Sequence, residues 1–306
     1  MKAKDIYFKT MQFTWLKLGL GAVLTVAVIL FFALFMWIGS LFGGAGLYIG
    51  YILWLVTSVG TYRFLMMYIG YMIKASHVAI ISTAVTTGEI PHDMFNAGKD
   101  MVKERFATTN VYLVIDKLVG GAVGQLQKAV GRVGGIFDNI PGVSEVVNIL
   151  QMFIGIALGY VDECCLGYTF INKDQNAFKS ACDGVCIYFK NAKHLLKNAA
   201  FITLFVIIAT FLSWVVPFAA IGGAFNALKW SRLAAFFVAL IIAAVIKVAF
   251  IDSWMMVKMM VSYMEVAPST EITFDLYDKL CKLSGKFKSL FKKATSGANA
   301  APQATM

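Results

Sequence analysis

The chain has 306 residues, 59% of them hydrophobic and 14% charged, with a formal net charge of +10. A soluble domain is roughly half apolar and about a quarter charged, so this composition excludes a free-standing soluble globule and requires lipid over the surplus. The basic residues lie between and after the apolar runs, which reads as a positive-inside bias and not as a nucleic-acid surface.

In chain order, Lys2, Lys4, Lys9 and Lys17 precede the first apolar run and are expected to hold the amino terminus in the cytoplasm. Leu18 to Ile38 has no ionisable residue over about the 20 positions that cross a ~30 Å hydrocarbon core. Trp15 and Trp37 flank it and no small-residue cleavage pattern follows, so a retained first helix is expected instead of a signal peptide. Gly43, Gly44 and Gly46 make a turn, and from Leu47 the sequence stays apolar and aromatic to about Val85 without a proline. As a single helix that stretch is ~60 Å long. Its second half, with Lys74 and His77, is therefore expected to leave the bilayer or line its cytoplasmic rim before Gly88 and Pro91 end it.

Phe95 to Phe106 is a basic amphipathic stretch suited to the inner membrane surface. Ala107 to Gly134 is ambiguous, because Asp116, Lys117, Lys128 and Arg132 interrupt its apolar residues. Clear apolar runs follow at about Val146 to Ile171, Ala199 to Phe225 and Ala234 to Tyr263, with basic clusters from Lys173 to Lys197 and from Lys279 to Lys293. If the ambiguous stretch stays on one side, both clusters fall outside the cell, against the charge rule twice. If it crosses, shielded by contacts at Gly120, Gly121, Gly124, Gly131 and Gly134, only Lys229 and Arg232 lie in a short outer loop.

The expected fold is an all-α, polytopic integral membrane bundle of six spans in the cell or plasma membrane, both termini cytoplasmic. One domain over 1–294 divides into three hairpin pseudo-repeats at about 1–106, 107–198 and 199–294, and 295–306 is expected to be disordered. Lys74, Asp162 and Asp252 recur at intervals of roughly 90 residues, each followed by a basic amphipathic segment on the cytoplasmic side.

Adjacent Asp162 and Glu163 fall inside an apolar run, where a charge costs roughly 3 kcal/mol or more. They read either as a cation or proton site near the midplane or as structural partners of Lys247 or Lys117. Lys247 and Asp252 share the last run at a spacing of five, which is poor for an intrahelical pair, so each is expected to seek a partner on another helix. Asp116, Lys117, Asp162, Glu163, Lys247 and Asp252 are the candidate solute or ion path. Lys190, Lys193, Lys197, Lys286, Lys288, Lys292 and Lys293 are candidate contacts for lipid headgroups.

Cys164, Cys165, Cys182, Cys186 and Cys281 form no CxxC pair and have no histidine at zinc-ligand spacing, so neither metal nor a structural disulfide is expected. The stripe Met255, Met256, Met259 and Met260 reads as helix-contact filler. His77, His92 and His194 read as solvated or interfacial, no cofactor is expected, and no nucleotide-loop, zinc-protease or nucleophile-elbow motif points to an enzyme.

FNAGKDMVKERFATTNVYLVIDKLVGGAVGQLQKAV, IALGYVDECCLGYTFINKDQ and FKSACDGVCIYFKNAKHLLKNA resemble segments of the choline transporter-like family over about a third of the chain. The resemblance implies movement of a small organic cation, but the chain is much shorter than those proteins and lacks their large extracellular domain, and no binding residue carries over. Two functions follow as expectations. One is a transporter or channel for a small, cationic solute. The other is a non-catalytic scaffold or assembly subunit whose basic segments bind anionic lipids or other membrane subunits.

Overall fold

Apolar runs without charge form long helices. In the computed structural model, which describes residues 1–106, 109–134, 159–227 and 232–296, every regular element is a helix and no strand occurs among those residues. A short α1 (Ala3–Lys9) leads into α2 (Met11–Ser40), and α3 (Gly43–Leu65) passes through a π-helical turn at Met66–Gly70 into α4 (Tyr71–Thr87). Then come α5 (Met94–Phe106), α6 (Thr109–Gly134), α7 (Val161–Ile171), α8 (Ala177–Lys190), α9 (Ala192–Ala227) and α10 (Arg232–Ile246). A second π-helical turn at Lys247–Ile251 joins α10 to α11 (Asp252–Val266), and α12 (Phe274–Leu283) and α13 (Gly285–Ser296) close the described chain.

Four helical stretches are long and apolar enough to cross a membrane: Met11–Ser40, Gly43–Thr87, Thr203–Gly223 and Val238–Val266. The first and third bury only 6% of their most apolar window, so protein covers almost none of that surface and lipid must. The protein is a helical membrane protein. Its chain divides into two compact units, one formed by residues 11–75 and 209–253 and the other by 1–10, 76–208 and the chain from 254 onward.

The first unit wears its large apolar side chains outside. Val23, Ile29, Leu30 and Trp37 of α2 are exposed, as are Ile49, Ile52 and Val56 of α3 and Phe211 and Val216 of α9. What holds the α2–α3 hairpin is close backbone approach. Gly43 turns the chain with φ 71°, a left-handed conformation that favours glycine. A Cβ on Gly39 would stand 2.6 Å from the Gly46 carbonyl oxygen, and one on Gly50 would stand 2.5 Å from that of Phe35. Such small-residue contacts let helices meet where lipid removes the hydrophobic drive between them. The Trp54 indole N–H donates to the Val28 carbonyl at 3.0 Å.

The second unit is packed like a soluble core. From 76 to 190 the only exposed large apolar side chain among those described is Val114, and from 254 to 296 only Phe274 and Leu283. Its centre is α8, where every residue from Ser180 to Tyr188 is buried. Gly184 lets α8 meet α7, since a Cβ there would stand 2.9 Å from the Cys165 carbonyl oxygen. Gly167 of α7 admits Met260, whose methyl would lie 2.6 Å from an added Cβ. Met255, Met256, Met259 and Met260 are all buried, which fits the reading of that stripe as contact filler.

Three features differ from the sequence reading. First, α6 is not among the four candidate spans. It turns Tyr112, Ile115, Val119, Ala122 and Leu126 into the packed unit and exposes Lys117, Gln125 and Lys128, the pattern of a helix lying on a protein core. Second, the run read as one span from Val146 to Ile171 is interrupted: residues 159–160 form a turn and α7 begins at Val161. The earlier part of that run, from 146 to 158, lies outside the described residues. Third, the amphipathic segments lay their apolar faces on protein. Gly98, Val102 and Phe106 of α5 are buried, and a Cβ on Gly98 would stand 2.7 Å from the Ser76 carbonyl oxygen. In α13, Phe287, Leu290 and Ala294 are buried where the helix packs on α6 and α8.

Candidate functional site

The packed unit holds a buried ionic cluster at the α8–α12 contact. Asn176 caps α8 by accepting the Lys179 backbone N–H at 2.8 Å, and one turn on Asp183 sits among small residues, 6% exposed. A buried carboxylate must be paired or fully hydrogen-bonded to be tolerated. Lys179 Nζ donates to Asp183 Oδ1 at 2.7 Å and Gln175 Nε2 to Oδ2 at 2.5 Å. The Tyr277 hydroxyl of α12 also donates to Oδ1, while Lys179 donates to the Tyr277 oxygen and lies 4.3 Å from its ring centroid. Burial first, and then the bond to Asp183, hold the Tyr277 hydroxyl far above the ordinary phenol value. Both Asp183 oxygens and the Tyr277 hydroxyl are engaged, so the cluster clasps α12 onto α8.

Arg105, at the end of α5, makes a second clasp. Its Nε donates to the Thr169 carbonyl at 2.5 Å, and Nη2 donates to the Asn172 carbonyl at 3.0 Å and to Ser180 Oγ at 2.8 Å. Thr169 and Asn172 are at the carboxyl end of α7, where unsatisfied carbonyls and the helix dipole favour a cation. Partial burial lowers the guanidinium pKa from its ordinary value.

A half-open cleft of about 480 Å³ lies in the same unit, where the last turns of α4, α7 and α11 meet. Val85, Ile171, Met264 and Pro268 supply apolar walls and Thr86, Tyr168 and Asn172 supply polar groups. The Asn172 amide donates to the Tyr168 hydroxyl at 3.3 Å, and burial raises the Tyr168 pKa.

No protein-family model, curated protein or solved structure matches this chain.

The residues read as a solute path fall into two sets: Asp116, Lys117, Asp162 and Glu163 on the contacting helices α6 and α7, where an added Cβ on Gly120 would lie 3.7 Å from Asp162 Oδ2, and Lys247 with Asp252 in the other unit. Asp162 and Glu163 occupy the first turn of α7 in the packed unit, where the positive end of the helix dipole stabilises carboxylates. Glu163 is 8% exposed and Asp116 of α6 is 7% exposed, while Lys117 is exposed. Lys247 and Asp252 pair with each other at 2.7 Å, against the expectation that each seeks another helix. The cause is the π-helical turn Lys247–Ile251, whose i→i+5 bonding brings residues five apart onto one side. On the same unit, Lys17 Nζ donates to Ser253 Oγ at 2.8 Å.

The expected headgroup lysines divide as well. Lys190 donates to the Glu271 carbonyl at 2.7 Å, Lys293 lies 5.8 Å from the Phe178 ring centroid, and Lys286, Lys288 and Lys292 are exposed. The side chains of Lys193 and Lys197 lie outside the described part. Cys164, Cys165, Cys182 and Cys186 are buried free thiols whose pKa values burial raises, and Cys281 is half-buried. Among the described residues no group of three or more histidine, cysteine or acidic side chains is placed to hold a metal ion.

Sequence reasoning missed Asp183, Tyr277, Lys179 and Arg105. A usable signal was present in SACDGVCIY, a lone acid within a run of small and apolar residues that the basic-segment reading passed over.

Proposed function

We propose that this protein is a non-transporting membrane scaffold whose packed unit serves as a helical platform for partners. The carrying observation is the position of the carboxylates expected to line a solute path. Asp116, Asp162 and Glu163 belong to helices outside the four candidate spans, and Asp252 is closed into a pair with Lys247 on its own helix. A path for a cation across the bilayer is marked by ionisable groups within the spans, and three of the four expected carboxylates lie outside them.

Four crossings also satisfy the charge rule that motivated six. With an even number of spans, the amino-terminal lysines, the segment 88–202 and the basic tail share one side, taken as the cytoplasm of the cell membrane. Six crossings would leave the termini and residues 172–202 on that same side, because 107–134 and 146–171 would be added together, and would move only 135–145 to the other. A thiol probe engineered at residue 138 separates the two: it is reached from the amino-terminal side in the four-span arrangement and from the opposite side in the six-span one. The successive pairs α4–α5, α7–α8 and α11–α12 support a threefold repeat.

Purification in mild detergent tests the scaffold reading. A stable complex lost on removal of residues 271–294 is expected, and a monodisperse chain without partners would overturn it. The cleft favours a second reading, movement or sensing of a small cationic solute, in line with the choline transporter-like resemblance. Solute uptake by vesicles that is abolished in Asp162→Asn and Asp252→Asn would establish that reading in place of the first.

A further inference from the structure

Three lysines of the packed unit are paired with acids: Lys173 with Glu104 at 3.3 Å, Lys179 with Asp183 at 2.7 Å and Lys282 with Asp278 at 2.7 Å. The surface shared by α6 and α13 carries lysines without such pairs. Lys117 and Lys128 of α6 and Lys286, Lys288 and Lys292 of α13 are exposed and form no ion pair among the described residues. Lys117 and Lys128 share a helix face by their spacing, and α13 contains no acidic residue. The acid of α6, Asp116, is turned inward.

The surface is also held rigid. Gln125 Oε1 of α6 accepts Ser284 Oγ at 2.8 Å and the Lys286 backbone N–H at 3.0 Å, which anchors the start of α13. Asn176 Nδ2 donates to the Ala294 carbonyl at 3.0 Å, which anchors its end. The Lys286 stem lies over Gly121, where an added Cβ would stand 3.1 Å from Cγ. Because Phe287, Leu290 and Ala294 are consumed by the core, α13 has no apolar face left to insert into a membrane. What it presents outward is charge.

We infer that the α6–α13 ridge docks on the phosphate headgroups of anionic phospholipid, by electrostatic contact alone and without helix insertion. This rests on the scaffold reading and deepens it by naming what the platform's basic face engages. The occupant follows from charge complementarity and from the chain's own location, since the bilayer that takes up its spans also offers the leaflet whose negative surface attracts juxtamembrane lysines. Such contact is screened within a Debye length.

The test is lysine acetylation footprinting, read by mass spectrometry, of the full chain in nanodiscs of phosphatidylcholine alone or mixed with phosphatidylglycerol. Lys286, Lys288 and Lys292 are expected to react several-fold more slowly in the mixed discs at low salt, and to recover at about 0.5 M salt, where the Debye length is only a few ångström. In a K286Q/K288Q/K292Q variant, the protection of Lys117 and Lys128 should fall. Equal reaction in both discs overturns the inference, as does protection by an added acidic peptide in phosphatidylcholine discs with none from phosphatidylglycerol. The readout needs no partner protein, so the ridge can fail while a complex is still recovered, and a missing complex leaves the footprint intact.

Discussion

The two units of this chain bury apolar surface in opposite ways. In the unit of residues 11–75 and 209–253, many leucine, isoleucine and valine side chains point outward while Gly39, Gly46 and Gly50 sit at backbone contacts; in the other, α7, α8 and α11 turn large side chains inward. One chain thus packs in two ways. Where apolar side chains face outward, side-chain burial contributes little and backbone proximity sets the fold; where they are enclosed by other helices, burial dominates. Substitutions of one kind should therefore have unequal effects in the two units.

The largest difference is expected for leucine truncation. Leu166 is fully buried in α7, and Leu166→Ala should destabilise the packed unit by about 3 kcal/mol. Leu30→Ala, at a position 62% exposed on α2, should fall within about 0.5 kcal/mol of the parent. Thermal unfolding in detergent reads both, and equal losses would erase the distinction between the units. Next comes the buried clasp. Asp183→Ala strands Lys179 and Tyr277 and should cost about 2–3 kcal/mol, at the low end for a broken buried pair because Lys179 is one-third exposed. Tyr277→Phe should cost about 1 kcal/mol.

The converse holds for added bulk. Gly46→Leu should open the α2–α3 hairpin at a cost of about 1–3 kcal/mol, although it adds apolar surface to an apolar unit. The smallest effect is expected for Lys247→Met: with 38% and 27% exposure of the two side chains, that pair should contribute under about 1 kcal/mol.

Alkaline pH sharpens the contrast further. Burial raises Cys182 and Cys186 above the ordinary thiol value of 9.0, and burial with the Asp183 bond raises Tyr277 above the ordinary phenol value of 10.0. The folded chain then keeps protons that the unfolded chain releases. Its stability should be constant below pH 9 and fall as pH rises above 9 and 10, the direction required when the unfolded state binds fewer protons. Tyr277→Phe should remove the phenol's share of that fall.

The sequence was clear wherever an apolar run held no charge. Leu18 to Ile38 between Trp15 and Trp37 matches α2, and the unbroken stretch ending at Gly88 matches the helix through Thr87. His77, read as solvated or interfacial, is instead fully buried with Ser76 and Val78 in the packed unit, its Nε2 3.1 Å from Thr10 Oγ1. The pairing of Lys247 with Asp252 was not legible, because a π-helical turn changes which residues face each other. Nor was the Asp183 cluster, since Asp183 and Lys179 meet Tyr277 only when α12 folds back across about a hundred residues.

By itself, then, the sequence determined how much apolar surface must leave water and which runs are uniform enough for lipid. Only the tertiary structure decided what covers the mixed segments. α6 and α13 each carry one apolar face, and hydropathy measures the gain from removing that face from water without naming what replaces the water. Here it is other helices of the same chain.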